Sequence, residues 1–89
     1  MSIRERATAG MLLALNAMVA NSAIAEERRI TTVQYLLCTA CNVPGALAAR
    51  VYGCSKQNIS KSLRAVEWRR EDPDYDAELA RLEAIFFGG

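Results

Sequence analysis

Residues Gly45–Arg64 read GALAARVYGCSKQNISKSLR, with Ala49 four positions before Gly53 and Ile59 six positions after it. Two short helices joined by a tight turn must approach closely where they cross, and a small residue such as Ala49 permits that approach. Gly53 follows an alanine-rich segment where a left-handed backbone ends a helix at little cost. Ser55 is then a natural N-cap, because its hydroxyl accepts a bond from an orphan N–H of the next helix. Ile59, Leu63 and Val66 recur at spacings of four and three, which predicts the buried stripe of that second helix. Lys56, Gln57, Ser60, Lys61 and Arg64 fall on the opposite face. This spacing is that of a helix-turn-helix, in which the first side chains of the second helix reach base edges and later basic ones reach phosphate. The plainer alternative is a helical hairpin with a solvated charged face.

Working outward, the 89 residues make one small domain. Alanine and leucine are abundant and no stretch alternates apolar and polar residues, so the expected class is all-α, about five helices around a central helix-turn-helix. A net charge of +1 would not by itself suggest a nucleic-acid partner. Its distribution does. Arg50, Lys56, Lys61, Arg64, Arg69 and Arg70 face only Glu67 across residues 50–70, whereas Glu71, Asp72, Asp74, Asp76, Glu78 and Glu83 dominate residues 71–83 with the single base Arg81. A basic surface over the second helix suits a phosphate binder, provided the acidic segment points elsewhere.

Other chemistry finds little footing. The chain has no histidine and no nucleophile paired with a base, so an enzyme is not expected, nor is a cofactor. Cys38, Cys41 and Cys54 are an odd set that argues against a secreted disulfide framework. Cys38-Thr-Ala-Cys41 has half the spacing of a zinc site, yet no histidine completes it, and buried inert thiols are the preferred reading. The N-terminus imitates an export signal: Arg4 and Arg6 precede the apolar run Met11–Ala20, and Ala23-Ile24-Ala25 resembles a cleavage site. Glu5, Asn16 and the downstream motif argue instead for a cytoplasmic, nucleoid-associated protein. The run is also too short to span a bilayer, so no membrane partner is expected.

A first helix is predicted from Ile3 to about Val19, with Ser2 as N-cap and Glu5 completing a capping box. Its stripe of Met11, Leu12, Leu15, Met18 and Val19 must be buried, either on the rest of the domain or in a homodimer. Residues 1–25 therefore read as an apolar packing or dimerisation helix, and residues 26–89 as the DNA-binding part. A second helix is expected from about Thr32 to Cys41. Asn42 is expected to cap the third, with Pro44 in its first turn. The helix after Ser55 is expected to end near Arg70, before Glu71-Asp72-Pro73. A last helix from Asp74 or Tyr75 to about Phe87 carries Leu79, Leu82, Ile85 and Phe86, and Ile85-Phe86-Phe87 is a second candidate dimer surface. Trp68 and Tyr75 are read as packing anchors.

From about Arg28 to Leu82 the string RITTVQYLLCTACNVPGALAARVYGCSKQNISKSLRAVEWRREDPDYDAEL and its flanks resemble domain IV, the C-terminal DNA-binding domain of the bacterial replication initiator DnaA. The shared elements are an arginine before an alanine- and leucine-rich helix, a helix opened by proline, a glycine turn, a recognition helix, and a charged RREDPD stretch before a last helix. In that family a glycine pair is followed by Arg-Asp-His-Thr-Thr-Val, where this chain has Tyr52-Gly53 and then Cys54-Ser55-Lys56-Gln57-Asn58-Ile59. The family's box-reading aspartate, histidine and threonine thus fall on Ser55, Lys56 and Gln57, which implies a retained docking geometry with a different target. The resemblance also implies that Arg29, aligned with a basic residue ahead of the first shared helix, reaches phosphate or minor groove, while Glu27 falls near a position where the family prefers arginine, which weakens that arm. The initiator's glycine-rich phosphate loop has no counterpart. The expected DNA-contacting set is Arg28, Arg29, Ser55, Lys56, Gln57, Asn58, Ser60, Lys61 and Arg64. The function expected from it is a sequence-specific double-stranded DNA-binding regulator of transcription or replication initiation. The alternative is an adaptor that keeps the fold and binds a replication or transcription protein.

Overall fold

A computed structural model describes residues 2–87. Five α-helices follow one another: α1 (Ile3–Ala20), α2 (Arg29–Thr39), α3 (Gly45–Tyr52), α4 (Lys56–Arg69) and α5 (Pro73–Phe87), with a 3-10 turn at Glu26–Arg28 before α2. No strand occurs among the described residues, so the domain is all-α.

Helix α1 starts where its cap predicts. The Glu5 N–H donates to Ser2 Oγ at 3.1 Å. Leu15 and Val19 are fully buried, with Leu12 and Met18 packed against the same core. Met11 is exposed, as is Leu13, so the buried stripe is narrower than the apolar composition of the helix suggests. The helix packs on α2 and α3 rather than standing apart. Ile24, in the connection after α1, plugs into that core. The central residue of the cleavage-site mimic is thus a packing residue, with Ala23 and Ala25 exposed on either side.

Helix α2 begins three residues earlier than the sequence predicts and stops at Thr39 instead of Cys41. The 3-10 turn supplies its start: the carbonyl of Arg28 accepts from the hydroxyls of both Thr31 and Thr32. Asn42 does not cap α3. It adopts φ 55°, a left-handed conformation in which asparagine is tolerated, and reverses the chain after α2. Pro44 occupies the N-cap position of α3, and its carbonyl receives the N–H groups of Leu47 and Ala48. Val43 between them is buried.

Helix α2 is the hub. Its Val33, Leu36 and Leu37 are buried, and it touches α1, α3 and α4. Helix α5 is fixed to it by a buried hydrogen bond of 2.7 Å between the Thr32 and Tyr75 hydroxyls, with Leu79 and Leu82 buried in the same core. Tyr75 is therefore the expected packing anchor. Pro73 opens α5, and the Asp74 N–H donates to the Asp72 carboxylate at the helix start. Arg70, just past α4, ties the two helices: its guanidinium bonds Glu83 and Asp76 of α5 and the Tyr35 hydroxyl of α2. The Glu83 carboxylate, with Asp76 and Tyr35 behind it, makes that guanidinium more basic than an ordinary arginine. Asp76, Glu78 and Glu83 of the acidic segment are thus half-buried and paired with arginines, whereas Glu71 and Asp74 stay exposed.

Candidate nucleic-acid interface

The turn between α3 and α4 is a Schellman ending. Gly53 has φ 68° and ψ 34°, its N–H bonds the Arg50 carbonyl, and the Cys54 N–H bonds the Ala49 carbonyl at 2.9 Å. Ala49 is buried at this junction. Ser55 then caps α4, its Oγ accepting the Asn58 N–H at 3.2 Å. Ile59 and Val66 are fully buried and Leu63 half-buried, so the inward stripe of α4 is the expected one. These contacts fix which side of the helix meets solvent.

On the outward side Lys56, Gln57, Ser60, Lys61 and Arg64 are all exposed and together line one shallow surface depression. Gln57, Lys61 and Arg64 follow each other at spacings of four and three and share a stripe. Lys56 leans toward α3: its side-chain carbons lie 3.9 Å from where a Cβ on Gly45 would stand. Among the described residues, no carboxylate forms an ion pair with Lys56, Lys61 or Arg64. Asn58 is exposed on the flank, and Ser55 is committed to its cap.

The remaining expected contacts lie elsewhere. Arg28 is half-buried, 3.8 Å from Asp72 and with its guanidinium 5.7 Å from the centre of the Tyr75 ring. Arg29 Nε donates to the Ile24 carbonyl at 3.2 Å. Both arginines therefore serve internal contacts and do not line the α4 depression. Arg50 pairs with Glu5 at 3.5 Å, and Arg69 donates to the Thr31 hydroxyl.

Trp68 is not the packing anchor its ring suggested. It is 76% exposed, and it continues the Gln57, Lys61, Arg64 stripe by a further four residues. That spacing was present in the sequence as the one signal of its position. The three cysteines are free and half-buried rather than buried. Burial pushes the Cys38 and Cys41 thiols up, and it is also the main reason the Tyr52 phenol rises to about 12, with Cys54 and Cys38 adding to it. Among the described residues, no three histidine, cysteine or acidic side chains are grouped to hold a metal ion. None of the described helices is long and apolar enough to cross a membrane. Ile85 and Phe86 are exposed, while the Phe87 side chain lies outside the described residues.

No protein-family model matches the chain, and no curated protein or solved structure matches it either.

Proposed function

We propose that the chain is a sequence-specific double-stranded DNA-binding regulator, acting in transcription or in control of replication initiation, with α4 as the helix that enters the major groove. The observation that carries this reading is the outward face of α4, where three cations without carboxylate partners among the described residues and two neutral hydrogen-bonding side chains share one surface. DNA offers that face phosphates at its edges and donor and acceptor groups at its centre.

The roles follow from position along the helix. Lys56 and Gln57 stand in the first turn, where side chains meet base edges: a lysine donates to guanine O6 and N7, and a glutamine pairs with adenine through two bonds. Lys61 and Arg64, one and two turns on, reach phosphates. The resemblance to the initiator's domain IV agrees with this docking and, through the replaced box-reading residues, argues for another target sequence. One such module holds DNA weakly, so a homodimer on two half-sites is part of the proposal.

The test is binding to random-sequence and selected duplexes at low and high salt, with Lys56→Ala and Gln57→Ala beside the wild type. We expect salt-sensitive binding and a loss of about 1–3 kcal/mol of discrimination at one base position for each variant. Absence of binding to any duplex at low salt would overturn the reading in favour of a protein-binding adaptor. Equal weakening on every sequence would remove the base-reading roles and leave only backbone contact.

A further inference from the structure

Trp68 is the only tryptophan of the chain and its most exposed aromatic side chain among the described residues. Indole is enriched at interfaces, where its apolar body is covered and its N–H takes an acceptor. Its neighbours narrow what that partner is. Counting from Gln57, residues 61, 64 and 68 fall at spacings of four, three and four, so Trp68 lies in line with Lys61 and Arg64 on the outward stripe. The next two residues have turned away: Arg69 donates to Thr31, and Arg70 is held by Glu83 and Asp76.

Eleven residues separate Gln57 from Trp68, which is about 16 Å along the helix axis. The major groove is about 12 Å wide. With Gln57 at the base edges, Trp68 therefore reaches past the groove to its wall. We infer that Trp68 is a duplex-backbone contact, its ring lying against a deoxyribose and its Nε1–H donating to a phosphate oxygen at the groove edge. This rests on the DNA-binding reading of α4. A second copy of the chain is a poorer occupant, because a two-fold contact through this stripe would set Lys61 and Arg64 against their own symmetry mates.

The single tryptophan makes the test direct. The full chain is titrated with a fluorescein-labelled random-sequence duplex of two helical turns, following label anisotropy and tryptophan emission together at about 50 mM and about 200 mM salt. We expect Trp68 emission to change in step with anisotropy and to revert at the higher salt. Trp68→Ala should weaken binding about five- to tenfold, and Trp68→Phe, which keeps a ring and loses the N–H, should fall between. Circular dichroism of both variants checks that the helices remain. Binding by anisotropy with unmoved tryptophan emission and full affinity in Trp68→Ala would overturn the contact and leave α4 a DNA-binding helix. Absence of any anisotropy change would overturn both. Emission that shifts with protein concentration alone, while Trp68→Ala binds duplex as the wild type does, would assign the side chain to a self-contact instead.

Discussion

Glu78 holds three N–H groups at once. Its carboxylate accepts from Arg81 Nε and Nη2 at 2.6 and 3.1 Å and from the backbone N–H of Ala23 at 2.6 Å. The last of these bonds staples the connection after α1 to α5, across most of the chain. Arg81 first and Ala23 second hold the carboxyl well below the usual carboxylate range, at about 2. A group whose pKa is depressed on folding stabilises the native state above its unfolded value and loses that contribution as pH falls through the folded value. The relevant window thus runs from about 4.5 down to about 2. Glu78→Gln keeps the shape and removes the charge, so it should be less stable than the wild type near neutral pH. Urea titrations across that window should show the difference shrinking as the wild-type carboxylate is protonated. A difference of constant size from neutral pH to about pH 2 would mean that the ionised form is not what the fold uses.

Helices here are set by their ends as much as by their stripes, and two glycines separate the contributions. A Cβ placed on Gly10 or on Gly53 would meet no atom within 4 Å. Packing is therefore silent at both sites and only the backbone differs. Gly10 lies inside α1, where alanine is favoured by about 1 kcal/mol. Gly53 has φ 68°, where a Cβ costs about 1–2 kcal/mol. Chemical denaturation should accordingly find Gly10→Ala more stable and Gly53→Ala less stable than the wild type, and a Gly53→Ala variant no less stable than the wild type would refute the assignment of the turn. The turn was legible because its signals are local: Ala49, Gly53, Ser55 and Ile59 each act within one helical turn of the next. The start of α2 was not, because it depends on a 3-10 turn whose last carbonyl is bonded by Thr31 and Thr32. Pro44 took the N-cap position expected of Asn42, which reverses the chain instead, for a related reason. Both residue types suit a helix start and a chain reversal, and the two residues lie on either side of the buried Val43, a tertiary contact that local signals do not show. The outward face of α4 followed from its period, whereas the fate of Arg28 and Arg29 did not, since Asp72 and the Ile24 carbonyl are brought to them by the fold.

A net charge of +1 conceals a separation of charge over the molecule. Its radius of gyration of 12.4 Å matches the about 12 Å of a compact chain this long, so α1 and α5 are folded in and their charges act at short range. Glu5 meets Arg50, Asp72 meets Arg28, Glu78 meets Arg81, and Asp76 and Glu83 meet Arg70. Each of these carboxylates is matched by an arginine off the α4 depression. The cations left without carboxylate partners among the described residues on that face are Lys56, Lys61 and Arg64, and on the proposed reading the effective charge presented to a polyanion is that of the face and not of the whole chain. Salt dependence of duplex binding measures this difference, because each neutralised phosphate adds about 0.9 to the slope of log affinity against log salt. Lys61→Gln combined with Arg64→Gln should lower that slope by about 1.8. Arg81→Gln also removes one positive charge, but from a residue already paired with Glu78 on α5, and should leave the slope unchanged. If the slope instead followed net charge, so that Arg81→Gln lowered it about half as much as the α4 pair, the contact would be diffuse and α4 would have no privileged role.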